Sequence, residues 1–327
     1  MKVRQLGVFL LAVVLLVTLI NPTVLLAAPP IPLDLHTDLD RDGVPDALAS
    51  AVKQFATARN AEVAIQDLLA RVPYKAETHA LQKEAALLNQ QLEYVRSTEE
   101  AERIQTKLQE IAAKMAQDPT YVDFLNGLER LYVQQGIMVE EKRASDRGFA
   151  IQAVNWGNLQ AGDVMLVRSG KFPWTSFIYA MTYSHTGNYN GSNLVYESNA
   201  DGVRLKPLSN WQVSGQYIAL GRSNQRTVAQ VQSALTWAKG YYGTDGSTPY
   251  NYFYPNKSTD DSLYCSQLTW KIHTHTGVNI DSNAWQYQLW IAAKWGVWAV
   301  AAVSIPAVAP DEVGLSGNIS YYSKDWN

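Results

Sequence analysis

Near residue 147 the chain changes character, and that break decides what it can fold into. From residue 47 to about 145 the sequence is rich in Ala, Leu, Glu, Gln and Lys and poor in Gly and Pro, which is the composition of helices. Leu81, Ala85, Leu88, Leu92 and Val95 recur at spacings of three and four, and so do Ile104, Leu108, Ile111 and Met115. Each set lays one apolar stripe along a helix. Ser97 and Glu100 form a capping box between them, Asp118-Pro119 ends the second segment, and Tyr121, Phe124, Leu125, Leu128 and Leu131 begin a third stripe. Residues 47–146 are therefore expected to form a helical hairpin or small bundle. It holds no cluster of catalytic residue types, which leaves packing, spacing or partner binding as its role.

After Arg147, Trp, Tyr, Gly, Asn and Ser take over in short alternating runs. The pattern predicts strands over 163–167, 184–189, 194–198, 202–205 and 217–220, and helices over 174–181, 227–241 and 263–274. The expected fold class is α+β, with residues 150–320 a domain distinct from the helical accessory region. Trp285, Trp290, Trp295 and Trp298 mark a stretch that stays apolar from Trp290 to Ile305. It is expected to pack against that domain, an aromatic wall for substrate being the alternative.

The N-terminus carries Lys2 and Arg4, an apolar run over 8–20, and Ala27-Ala28 before Pro29. This reads as a signal peptide over residues 1–28, cleaved after Ala27 or Ala28, and places the protein outside the cytoplasm, secreted or in the periplasm and cell envelope. An uncleaved anchor is the alternative and the one route to membrane contact. The formal net charge of −3 supplies no basic field for a phosphate backbone, so nucleic acid is not an expected partner. No oligomeric state is legible.

Within residues 34–49, Asp38, Asp40, Asp42 and Asp46 stand at positions 1, 3, 5 and 9 of a loop with Gly43 at position 6. Ca²⁺ requires oxygen ligands in such a loop, and the segment resembles thrombospondin type 3 and dockerin-like calcium loops. Position 12 is Ala49, which excludes a standard EF-hand; the other reading is an acidic N-cap for a helix starting near Asp46. Any calcium here is expected to be structural.

Cys265 is the only cysteine, and exported chains generally use cysteines in pairs, so it cannot form an internal disulfide. It is either a buried inert thiol or a nucleophile. Asp261 or Ser262 is expected to cap the helix that follows, leaving Cys265 in its first turn, where the helix dipole favours thiolate. Backbone N–H groups at the same helix start can receive an oxyanion. Upstream, His185 and Glu197 flank the turn sequence Asn190-Gly191-Ser192-Asn193. A hairpin centred on Gly191 sets them opposite each other on one face, where the carboxylate fixes the imidazole's tautomer and stabilises its cation. His36, His79, His273 and His275 lack the spacing of a zinc site.

Gly162-Asp163-Val164, then Ser184-His185-Thr186-Gly187-Asn188-Tyr189, Tyr196-Glu197, and Tyr264-Cys265-Ser266-Gln267-Leu268 together resemble the YiiX/YebB-like branch of the NlpC-type cysteine peptidases. The resemblance extends over 162–316 and takes in 243–250 and Ala309-Pro310-Asp311-Glu312. It implies a circularly permuted papain-like domain in which histidine precedes cysteine. It further implies Cys265 as nucleophile, His185 as general base and then acid, Glu197 as the residue orienting the histidine, and Tyr264 as an aid to substrate or oxyanion. Thr186 after the histidine, where the family usually has a hydrophobic residue, and the aromatic segment 171–181 depart from the pattern.

The expected function is an exported cysteine hydrolase that cleaves a peptide or isopeptide bond, in cell-wall peptidoglycan, through an acyl-enzyme and with no catalytic cofactor. An ester, lipid or acyl-transfer hydrolase with the same triad is the first alternative. A non-catalytic wall-binding or scaffold protein is the second.

Overall fold

Six strands build the sheet that carries the histidine, and their alternation shows why. The computed structural model describes residues 30–55, 58, 60–95, 97–138, 154–168, 180–212, 217–253, 256–300 and 307–324. The expected signal peptide, the junction near residue 147 and most of the helix expected over 174–181 lie outside them. The strands are β1 (Val164–Arg168), β2 (His185–Gly191), β3 (Leu194–Asn199), β4 (Gly202–Pro207), β5 (Tyr217–Ser223) and β6 (Ile319–Lys324). All pairings are antiparallel, in the order β4-β3-β2-β1-β5-β6. The edge strand β6 has no counterpart in the sequence reading, because a six-residue run with one apolar aliphatic residue carries little strand signal by pattern alone.

Side chains alternate across this sheet. Tyr196 and Val203 face α6 (Val228–Tyr242) and α7 (Cys265–His275), packing with Val231, Leu235, Leu268 and Ile272. Met165, Val167, Val195 and Leu220 face the other way, toward Leu208 and the wholly buried Trp211. Thr227 caps α6 by accepting from Gln230 N–H, with Gln230 returning to the Thr227 N–H at 2.9 Å.

The accessory region is helical as its composition predicts: α1 (Asp46–Phe55), α2 (Ala61–Ala70), α3 (Ala76–Gln91), a 3₁₀ turn (Leu92–Tyr94), α4 (Thr98–Met115) and α5 (Pro119–Gln134). Ser97 accepts from Glu100 N–H at 3.2 Å. Asp118 caps α5 and holds the start of α3 as well, taking Thr120 N–H, Lys75 N–H and the Thr78 hydroxyl.

The tryptophan-rich stretch forms α8 (Trp285–Trp295), and its burial differs from expectation. Besides Trp290, whose indole donates to Ala180 O at 3.1 Å, much of its surface meets the accessory helices α2, α3 and α5. Phe55 stacks on Trp285 at 5.7 Å, and the hydroxyls of Tyr121 and Tyr132 donate to the carbonyls of Lys294 and Gln286. An all-round apolar helix needs cover on every side, and the bundle supplies what the sheet cannot. Leu33–Asn327 accordingly form one compact unit.

Candidate active site

Cys265 is the first residue of α7, one position after the N-cap Tyr264. Neither Asp261 nor Ser262 caps the helix as expected; the chain stays extended through Tyr264, whose N–H is taken by Gln267 Oε1 at 3.2 Å. Gln267 is fixed in turn by donating to the carbonyls of Lys257 and Thr259. The cysteine therefore sits at the positive end of an 11-residue helix, and the first N–H groups of that helix have no intrahelical acceptor. The Tyr264 hydroxyl accepts Val308 N–H at 3.0 Å deep in the core. Its side chain thus braces the helix start.

His185 opens β2, and Glu197 lies on β3. Their pairing differs from the expected one. Asn188 is opposite Tyr196 and Tyr189 opposite Val195, a register that sets Glu197 across from Gly187 and makes His185 its diagonal neighbour. The shift comes from an irregularity between Tyr189 and Gly191 beside a two-residue turn, Ser192-Asn193, with positive φ at both residues. The two side chains still share a face, and His185 Nε2 lies 3.3 Å from Glu197 Oε2. All three groups are buried, with Cys265 and Glu197 1% exposed and His185 fully covered.

With Nε2 given to the carboxylate, Nδ1 is the ring nitrogen left to serve the sulfur. Burial alone would lower the His185 pKa, but the Cys265 thiolate, by charge and hydrogen bond, and then Glu197 outweigh it and raise it to about 9. Burial raises the Cys265 thiol, and the His185 cation, its hydrogen bond, the Thr186 N–H and Ser266 together bring it below its ordinary value. Thiolate and imidazolium stabilise each other.

Four residues without a role in the sequence reading complete the arrangement. Trp211 donates its indole N–H to Glu197 Oε2 at 2.8 Å and lies 5.3 Å from the imidazole, ring centre to ring centre. Asn199, two residues along β3 and hence on the same face, donates to Oε1 at 2.8 Å. Gly187 makes room for this, since a Cβ there would stand 3.0 Å from the Trp211 ring and 2.9 Å from Val195. Asp311 accepts the N–H groups of Met181, Thr182 and Tyr183 at 2.7 to 2.9 Å, fixing the chain that leads into His185. Asn199 was legible from the period of two; Trp211, beyond an intervening strand, had no local signal.

Residues 158–319 match the model of a family described as permuted papain-like amidase enzyme, YaeF/YiiX, C92 family. This half of the chain belongs to that family. It is a cysteine peptidase of amidase type, its substrates are peptides or other amides, and its chemistry needs no catalytic cofactor. The mixed helical and antiparallel architecture is that of the permuted papain-like fold expected from the motifs. A solved structure titled crystal structure of metalloprotein yiiX from Escherichia coli O157:H7 is similar over 52% of this chain and 99% of its own, with 21% identity and a TM-score of 0.38. At that identity and score the likeness supports no residue assignment. No curated protein matches the chain.

Away from this site, Asp38, Asp40 and Asp42 present carboxylate oxygens within 4.8 Å of one another. Asp46 is not among them; its Oδ2 accepts Leu39 N–H. The Asp42 N–H lowers the Asp40 pKa, but burial and the like charges of Asp42 and Asp38 leave it raised. His273 and His275 do not converge: His275 stacks on Trp237 at 3.9 Å, while His273 is fully buried. Among the described residues no helix is long and apolar enough to cross a membrane.

Proposed function

We propose that the protein is an exported cysteine amidase that cleaves peptide or isopeptide bonds of cell-wall peptidoglycan. The observation that carries this reading is the buried chain of carboxylate, imidazole and thiol, Glu197 to His185 to Cys265, at the start of a helix. The Cys265 thiolate attacks the amide carbonyl carbon, and the carbonyl oxygen becomes an oxyanion received by backbone N–H groups at the start of α7. The C–N bond then breaks while the His185 imidazolium gives its proton to the departing amine. Water attacks the thioester, its proton passes to His185, and the acid leaves as the sulfur is freed. Glu197 holds the ring and stabilises its cation throughout.

The lysine and arginine ahead of an apolar run, ending in Ala27-Ala28, support export and a place in the periplasm or outside the cell, where peptidoglycan is within reach. Digestion of purified muropeptides read by mass spectrometry tests the reading. The wild type should add one water per bond cut. Cys265→Ala should abolish turnover with the melting temperature retained, His185→Ala should cost nearly as much because the pair acts as a unit, and Glu197→Gln should cost less. Turnover retained in Cys265→Ala defeats the mechanism; cleavage of esters or phospholipids but not muropeptides assigns the same triad to acyl substrates.

A structural Ca²⁺ at Asp38, Asp40 and Asp42 is the second part of the proposal. One oxygen, Asp38 Oδ1, is buried with no hydrogen-bond partner among the described residues, as a ligand atom of a cation site would be. The loop is seated on α5 through Arg130, which donates to Gly43 O at 2.9 Å, and Gln134, which donates to Asp42 O. Calcium should therefore raise the melting temperature of the whole chain, and Asp40→Asn should remove most of that gain. A melting curve indifferent to calcium and chelator rejects the site.

A further inference from the structure

We propose that a cleft between the accessory helices and the loop before Cys265 binds the sugar strand of the substrate, so that the accessory region is a wall of the substrate site. The inference rests on the peptidoglycan reading for its biological ligand, but not for its chemistry. The cleft encloses about 1020 Å³, room for more than one sugar unit. One side is the 3₁₀ turn and the start of α4, contributing Tyr94, Val95 and Ser97. The other is formed by residues 249–253 and by Asn256, Thr259, Asp261 and Ser262, with Ser262 three residues before Cys265, together with the β3–β4 turn, which begins three residues after Glu197.

The lining identifies the ligand class. Tyr94 is 69% exposed at the end of the 3₁₀ turn that follows α3, and the half-buried Phe253 belongs to the opposite wall, with the largely covered Tyr252 beside it. Aromatic faces across a wet cleft suit the C–H faces of pyranose rings, and a tyrosine adds a hydroxyl for their oxygens. Asp201 and Asp261 line the same wall as Phe253, with no lysine or arginine among the described lining residues. Carboxylates accept hydrogen bonds from sugar hydroxyls but repel the carboxylates of a peptide stem. Asp201 is held by Lys206 at 2.9 Å, so Asp261 is the carboxylate more open to a ligand. The stem peptide would then pass toward Cys265 while the strand remains in the cleft.

Calorimetric titration of the full chain with chitotetraose, a soluble β-1,4-linked N-acetylglucosamine oligomer, tests this directly. Binding should weaken about tenfold in Tyr94→Ala and in Asp261→Asn, neither of which is in the catalytic machinery, with melting temperatures unchanged. In turnover, Tyr94→Ala should raise KM for a glycan-linked stem peptide about tenfold at constant kcat and leave the free stem peptide unaffected. Absence of binding, or equal binding by wild type and both variants, overturns the proposal. Sugar binding lost in Tyr94→Ala by a protein that cuts neither peptide would sustain the cleft and reject peptidoglycan hydrolysis.

Discussion

Trp211 and His185 meet at one oxygen: the indole N–H donates to Glu197 Oε2 at 2.8 Å, and the imidazole Nε2 lies 3.3 Å from that same atom. A carboxylate free to rotate would let the ring turn with it. Trp211 fixes the oxygen from one side and Asn199 fixes its twin from another, so the direction of the imidazole is set before substrate arrives.

Trp211→Phe should separate these contributions. It keeps an apolar ring against Gly187 and deletes one donor to a buried carboxylate, a loss of about 2 kcal/mol in stability. A group that acts through the orientation of His185 should lower kcat about tenfold and leave KM nearly unchanged. Stopped assays under saturating substrate read this; an unchanged kcat in a variant with a lowered melting temperature would reduce Trp211 to packing.

The pH dependence of kcat/KM follows from the coupled pair. The reactive form holds thiolate and imidazolium together, and the thiol titrates below its ordinary value while His185 holds its proton up to about 9. The rate should rise as pH passes the depressed thiol pKa, level, and fall above about 9 as the imidazolium deprotonates. Glu197→Gln removes a charge that favours the cation, so the alkaline limb should move to lower pH. A wild-type alkaline limb near the ordinary histidine value would show the ring is not so held.

Much of this was readable from residue patterns, for local reasons. Thr186, Asn188 and Tyr196 alternate with His185, Gly187 and Glu197, and that period of two gave the shared face even though the diagonal register escaped it. The register depended on an irregularity beside Gly191 that a turn sequence does not count out. Cys265 at a helix start was legible from its neighbours, but the cap was not, because Gln267 satisfies the Tyr264 N–H in place of Asp261 or Ser262. Trp211 and Asp311 act over 14 and about 130 residues of chain, and no periodicity reports contacts at that range. The burial of α8 under the bundle was hidden likewise: apolar all round says buried, not by what.

His273, on the same helix as Cys265, sets an acid limit on the fold. It is fully buried, neither ring nitrogen has a hydrogen-bond partner among the described residues, and burial lowers its pKa to about 4. In the unfolded chain it would titrate near 6.5, so between 6.5 and 4 the unfolded state binds more protons and stability falls with falling pH. The full contribution is present above 6.5, and about 3 kcal/mol is lost by pH 4. Asp311 works the other way: burial against its three N–H partners raises its carboxyl to about 6, which favours the folded state in acid. The comparison must therefore be a difference in which Asp311 cancels. His273→Leu, an apolar side chain in a site that offers the ring no partner, should melt at a temperature that falls less than the wild type's between pH 6.5 and 4.5. Parallel curves for the two proteins would mean that His273 is reached by water or a partner on protonation, and the acid limit would then belong to another group.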